Sequence, residues 1–405
     1  MKRFLTEYFD YRTFLTVAGL TLIGIVSVYS ATYDARASDI FYRQLLWAGV
    51  GAGAVIFITI LPFRFLQFIS YPAYIASIAM LVAVLLLGRT VSGSTSWFNL
   101  GALRLQPSEF AKITTALALA TYLSRSNVSL LNMRDLITAA SIVMLPVALI
   151  MMQPDFGTAV IYLGMFFPVL YWGGASRFIL LSLIAPGAVA LAALFGTTPF
   201  LITVLVFGVL LYLTKDNRVL AAVVFSAMVL VGISVQFIYD GLKPYQQKRI
   251  ASFLDPNADP LGAGYNILQS KVAIGSGGLF GKGYLHGTQT QLNFIPEQWT
   301  DFIFCVPGEE FGFAGAATVL LLFAYLLFRC VTLSSTVKST YASYVSMAIG
   351  GILASHVFIN IGMSLGLLPV IGVPLPFLSY GGSALLAGMI MVGILMNLYA
   401  NRKEY

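Results

Sequence analysis

Glu109 and Lys112 stand three residues apart in Pro107–Ser124, a stretch with no other charge. On a helix that spacing puts both on one face, where they can pair or share a ligand. A charge inside an apolar segment is costly enough to point to function; a mutual ion pair that merely solves its own burial is the alternative. Glu297 and Asp301 stand four apart, so on a helix Glu297 could tune the acidity of Asp301 or share a cation with it. Taken alone, Asp301 reads equally well as a solvated loop acid. The run Gly275–Gly283 invites comparison with a phosphate loop, but a Walker motif needs Gly where Ser276 stands and Ser or Thr where Gly283 stands. No nucleotide is therefore expected. What remains is either a set of glycine-permitted turns whose N–H groups, beside Lys282, hold an anion, or a turn without a ligand. Asp155 sits at a helix junction, where an N-cap role suffices. Neither His286 nor His356 has zinc-ligand spacing, and Cys305 and Cys330, near opposite ends of one expected helix, cannot form a disulfide.

The elements that must position these groups are set by composition. Of 405 residues, 59% are apolar and 10% charged, against roughly 45–50% and about 25% in a soluble domain. That excludes a water-soluble globule of this size. Runs free of Asp, Glu, Lys and Arg give seven single spans: Thr13–Tyr33, Gln44–Phe63, Phe65–Gly88, Leu136–Pro154, Phe156–Ser176, Val219–Tyr239 and Phe311–Phe328. Phe178–Thr214 divides at Gly196-Thr197-Thr198-Pro199, and Ser339–Asn401 divides at Pro369–Gly382. With Pro107–Ser124 the expectation is an all-α polytopic membrane protein of about twelve transmembrane helices, forming a single integral membrane domain over 1–405. The charged start, Met1–Arg12, runs into an apolar stretch too long for a cleaved signal peptide and reads as a retained first helix.

With the N-terminus cytoplasmic, thirteen Lys and Arg fall on the inner side, against Arg36, Arg43, Arg89 and Arg104 in short outer loops. Both termini are then cytoplasmic, and 240–310 forms a long extracytoplasmic loop containing short helices. The net charge of +7 follows from this topology and is not a nucleic-acid footprint. Within the loop, Tyr265–Ile274 alternates apolar and polar residues as a short amphipathic helix does. A loop of this length is usually functional. The uncharged segment Leu367–Ser383 has three prolines and three glycines between Pro369 and Gly382, which forbid a continuous helix. At membrane depth such backbone is tolerated only in protein or beside a water-filled cavity, so it is expected to line one.

Together these segments resemble the SEDS family (shape, elongation, division and sporulation), its RodA-like branch more than its FtsW-like branch. The resemblance rests on Gln106-Pro107-Ser108-Glu109 with Lys112, Gln153-Pro154-Asp155 with Gly157-Thr158, Tyr245 through Asp255-Pro256, and Gly262-Ala263-Gly264-Tyr265 with Gln269-Ser270. It continues through Gly275–Gly283, Pro296-Glu297 with Thr300-Asp301-Phe302, Glu309-Glu310 with Gly312, and Asn360-Ile361-Gly362-Met363 to Ser379-Tyr380-Gly381-Gly382-Ser383. It implies a peptidoglycan glycosyltransferase of the bacterial cytoplasmic (inner) membrane. Such an enzyme polymerises lipid II into glycan strands on the outer face for cell elongation and shape, beside a class B penicillin-binding protein. It implies Asp301 as the catalytic carboxylate, acting as general base toward the acceptor sugar hydroxyl. A divalent cation (Mg or Mn) at Asp301, or the basic residues Lys112, Lys248, Arg249 and Lys282, would meet the diphosphate. Gln106, Ser108, Glu109, Gln269, Glu297 and Ser379, on the matching motifs, are the other substrate-binding candidates.

Two positions depart from the family pattern. Trp299 stands where members often have His, and Ser96 stands where many have Arg before the Trp, here Trp97. The family typically has ten spans, so one extra helical hairpin is expected within Phe178–Tyr239. A second functional class, a transporter or flippase of a lipid-linked precursor, also fits twelve spans with a broken segment and embedded charges. Against it, the unusual residues gather in the outer half.

Overall fold

The computed structural model describes residues 9–33, 37–91, 94–100, 103–214, 218–242, 244–255 and 264–403. The uncharged runs fold as helices: α1 (Tyr11–Tyr33), α2 (Ser38–Ile60), α3 (Phe63–Leu87), α4 (Pro107–Leu123), α5 (Met133–Met152) and α6 (Phe156–Trp172). They continue as α7 (Arg177–Leu194), α8 (Thr197–Thr214) and α9 (Arg218–Asp240). Shorter helices follow: α10 (Pro244–Leu254), α11 (Tyr265–Ser276), α12 (Thr288–Gln291) and α13 (Cys305–Glu310). Three long helices come after them, α14 (Gly312–Thr336), α15 (Thr340–Ser364) and α16 (Gly382–Ala400).

Among the described residues, ten helices are long and apolar enough to cross a membrane. The expected twelve required two more. The segments assigned to them, α4 and α6, are helices of 17 residues, at the lower end of the range of about 17–25 that can span. The helical expectation holds, with one addition the sequence did not announce. A three-stranded antiparallel sheet fills the connection between α3 and α4, from β1 (Arg89–Val91) through β2 (Ser94–Leu100) to β3 (Leu103–Leu105). Arg89 pairs with Trp97, and Phe98 with Leu105. Cys305 lies on α13 and Cys330 on α14, both free and buried.

The helix starts obey local chemistry. Pro107 occupies the first turn of α4, where its missing N–H costs nothing. Asp155 caps α6, accepting from the Thr158 N–H at 3.1 Å and the Thr158 hydroxyl at 2.9 Å. Ser176 accepts from the Ile179 N–H to start α7.

The chain divides into two compact units, Met1–Val169 with Asn266–Tyr405, and Leu170–Tyr265. The second holds α7, α8 and α9 around Phe178, Ala185, Val189, Leu211 and Met228. The expected turn at Gly196 is present, with Gly196 at φ +114°; that at Lys215-Asp216-Asn217 lies outside the described residues. The first unit holds α15 and α16 at its centre. Small residues bring backbones together there: Gly51 of α2 faces Met389, and Gly393 of α16 faces Val55 and Ile58. The Asn397 side-chain amide donates to the carbonyls of Ile58, Thr59 and Leu61 at 2.9, 3.2 and 2.7 Å, tying α16 to the end of α2.

Candidate functional site

Between α15 and α16 the chain runs without regular structure, as its prolines require, and protein donors satisfy it. His356 and Asn360 are one helical turn apart on α15. His356 Nδ1 lies 3.0 Å from the Pro374 carbonyl, and Asn360 Nδ2 donates to the adjacent Val373 carbonyl at 2.8 Å. The same Asn360 amide donates to the Asp301 carbonyl at 2.9 Å. Val373, Leu375, Phe377 and Leu378 are buried. Protein donors thus satisfy the Val373 and Pro374 carbonyls, while Gly372 at the edge stays exposed.

Asp301 stands at that edge, half-buried. A Cβ at Gly372 would lie 3.5 Å from Asp301 Oδ2, and Gly372 has φ +73°, a conformation that suits glycine. The stretch Pro296–Phe304 is a series of turns and not a helix. Even so, the Asp301 N–H donates to the Glu297 carbonyl at 3.1 Å, so the two acids are one turn apart. Glu297 is exposed, and its carboxylate accepts from the Thr300 hydroxyl at 3.1 Å.

On the far side of Pro374 lies the expected pair. Lys112 Nζ is 2.8 Å from Glu109 and 2.8 Å from His356 Nε2. Lys112 is 1% exposed, so in this conformation it reaches no ligand directly. Gln106 donates from Nε2 to Asp155 at 3.1 Å and from its N–H to Ser383 at 3.2 Å. Burial pushes the Asp155 carboxyl up, against the lowering effect of its Thr158 bonds. Gly157, just past that cap, backs onto the unwound segment: a Cβ there would lie 2.7 Å from the Ile371 carbonyl. Ser108 is buried, with its hydroxyl unpartnered.

The structure thus ties Glu109 and Lys112, through His356, and Asp301, through Asn360, to Val373–Pro374, with Glu297 one turn before Asp301 and Gln106 on Asp155. Ser379 is present but committed: its hydroxyl donates to the Thr300 carbonyl at 2.6 Å and accepts from the Leu375 N–H at 2.8 Å. In this structure it is a strut under the Asp301 turn. Lys282 is committed too, to Glu309 and Thr288, each at 2.7 Å. The glycine run offers few free donors: the N–H groups of Gly281, Lys282 and Gly283 go to the carbonyls of Gly277, Glu309 and Glu310. Its glycines allow that close approach, since a Cβ at Gly281 would strike the Glu310 carbonyl. These three donors of the expected anion site, and the Lys282 ammonium beside them, are thus already committed within the protein. Gln269 is half-buried on α11, whose buried face is Ile267, Ser270 and Ala273. Lys248, exposed, and Arg249 lie on α10 in the second unit.

Sequence reasoning missed His356 as the partner of Lys112, and it missed the contrast between Glu309 and Glu310. Both acids are buried. Burial raises Glu309, but the N–H groups of Gln289 and Thr290 and the Lys282 ammonium outweigh it and hold the carboxyl below its ordinary value. Burial raises Glu310, and Ser30, Gln291 and the Leu285 N–H only partly offset it. Neighbouring acids are thereby pushed apart.

Comparison with known proteins matches this arrangement to one family. The FtsW/RodA/SpoVE family model, described as cell cycle protein, matches residues 11–200 and 178–404. The peptidoglycan glycosyltransferase RodA of Treponema pallidum is 34% identical, covering 97% of this chain and 98% of its own length. The peptidoglycan glycosyltransferase MrdB of Escherichia coli K12 is 36% identical, covering 95% and 93%. A chain of a solved peptidoglycan synthase complex, studied for how polymerization and crosslinking are coordinated, superposes with a TM-score of 0.76 at 29% identity, covering 98% and 99%. The crystal structure of the Thermus thermophilus rod shape determining protein RodA gives 0.66 at 25% identity, covering 98% of each chain. Along nearly its whole length, from the first long helix to the last, the chain belongs to the FtsW/RodA/SpoVE family.

Proposed function

We propose that this protein is a peptidoglycan glycan-strand polymerase that uses lipid II and releases undecaprenyl diphosphate. The observation that carries the reading is Asp301, half-exposed beside Gly372 on a backbone that Asn360 and Ser379 hold in place. Asp301 takes the proton of the acceptor hydroxyl as the sugar oxygen attacks the anomeric carbon of the donor. The lipid diphosphate leaves from the opposite face, inverting the α linkage to β. Diphosphate is a stable leaving group and needs charge neutralisation more than protonation, so one base suffices.

Among the described residues no three His, Cys, Asp or Glu side chains gather as a metal cluster. A magnesium ion typically takes one or two carboxylates and completes its shell with phosphates and water. Asp301, with Glu297 one turn before it, fits such a partial site. A cation bound there would neutralise the departing diphosphate.

In this reading the chain sits in the bacterial cytoplasmic membrane with both termini inside and the Asp301 loop outside. A class B penicillin-binding protein, which cross-links the strands, is its partner. The likeness to a chain of a peptidoglycan synthase complex, in which polymerization and crosslinking are coordinated, supports a partner of that kind. The test is polymerisation of labelled lipid II by purified protein, with and without that partner. Wild type should form polymer and Asp301→Asn should lose activity by about 10²–10⁴-fold while remaining folded. Near-normal polymer from Asp301→Asn would remove the general base.

A further inference from the structure

His356 touches both halves of the site. A lysine ammonium only donates hydrogen bonds, so at 2.8 Å from Lys112 the Nε2 atom of His356 must accept. The ring proton then sits on Nδ1, which donates to the Pro374 carbonyl at 3.0 Å. Both nitrogens are used, the ring is neutral, and its tautomer is fixed by its neighbours. The ring therefore joins the Glu109–Lys112 pair of α4 to the segment behind Asp301.

One turn further along α15, Asn360 holds the preceding carbonyl, Val373, at 2.8 Å and the Asp301 carbonyl at 2.9 Å. Consecutive carbonyls of the unwound segment are thus pinned by two side chains on one helix face. Gly372, next in line, lies against the Asp301 carboxylate. A shift of Pro374 would pass through Val373 to Gly372, and from there to the side chain that performs the chemistry.

We infer that His356 is a positioning residue for glycan polymerisation: through its Nδ1–H bond to Pro374 it fixes the unwound segment that sets the Asp301 carboxylate, while its Nε2 anchors the ring to Lys112. This rests on the polymerase reading above. It places His356 outside direct contact with substrate, so its loss acts on turnover and not on lipid II affinity. A misplacement of about 1 Å at a reacting group can cost about 10²-fold in rate.

Three variants separate the two nitrogens. His356→Asn keeps a short amide donor near the Nδ1 position and loses the acceptor for Lys112. His356→Gln keeps an amide near the Nε2 position and loses the bond to Pro374, and His356→Ala loses both. Each is purified, its melting in detergent is recorded, and lipid II polymerisation is measured to give kcat and KM separately. Wild type and Asp301→Asn run alongside.

The expected result is a drop in kcat of about 10²-fold for Ala and Gln, with KM unchanged within about threefold and recovery of at least tenfold in Asn. An unchanged kcat in Ala, a rise in KM alone, or Asn no better than Gln would each overturn the inference. So would failure of all three variants to fold, which would make His356 a packing residue. If wild type itself makes no polymer, the polymerase reading fails. If wild type is active and Asp301→Asn is not, that reading stands and the variants decide the role of His356 alone.

Discussion

Helices α15 and α8 are both apolar enough to cross a membrane, yet their surroundings are opposite. Of the membrane-length window of α15, 78% is buried in protein, and of α16, 72%; for α8 and α9 the shares are 6% and 11%. The exposed side chains of α8, among them Leu201, Leu205 and Leu213, are apolar because lipid is an acceptable neighbour for them. The buried face of α15 carries Ser346, His356, Asn360 and Gly351. In lipid, apolar surface gives no drive to pack one helix on another, so close approach and hydrogen bonding do the work. The helices least like simple membrane anchors are therefore the ones inside.

The contrast can be broken by substitution, most sharply where charge is buried. Lys112→Ala leaves Glu109 buried without its cation and should cost about 3–5 kcal/mol, whereas replacing both with apolar residues of similar size should cost less. Detergent melting of the single and double variants checks this, and a single variant as stable as the double would refute the buried-pair account.

Next comes Asn397→Leu, which leaves three carbonyl contacts of α2 without their side-chain donor and should cost about 1–3 kcal/mol. Glu309→Gln should destabilise by a similar amount, while Glu310→Gln should slightly raise stability at pH 7. Glu309, held low, adds stability that is complete above its ordinary range and is lost as pH falls through its lower folded value. Glu310, held high, has the opposite sign: its cost appears as pH rises above the ordinary carboxylate range. Melting from pH 2 to 8 should therefore lose its acid-side decline in Glu309→Gln and its decline above the ordinary carboxylate range in Glu310→Gln.

Smallest of all, Leu205→Ala and Leu213→Ala on α8 should change stability by less than about 0.5 kcal/mol, since no protein cavity opens. A loss above about 2 kcal/mol would show that this helix is buried by something other than lipid.

The spans were legible because uncharged runs of membrane length are rare in any other setting. The sheet over 89–105 was not, because three short strands carry too little alternation to stand out against their helical neighbours. The partners of the glycine run were hidden for a different reason. Its donors are consumed by carbonyls some thirty residues downstream, at Glu309 and Glu310, and no local pattern announces a partner that far away. His356 was within reach. It lies four residues from Asn360 on a helix without Asp, Glu, Lys or Arg, and spacing of that kind is what singles out Glu109 and Lys112. Testing histidines only for metal-ligand spacing passes over it.

With Asp301 as the proposed base, the clamp behind it also dictates when, during its own synthesis, the protein can become active. Asp301 is made with about a hundred residues still to come, yet the carbonyls of Val373 and Pro374, the hydroxyl of Ser379 and the α16 helix that docks through Asn397 all belong to that remaining stretch. A nascent chain stalled before α15 has its carboxylate but nothing to hold it. Activity therefore switches on only when α16 has left the ribosome and entered the bilayer, and truncation before that helix acts as an off state even though it removes no catalytic atom.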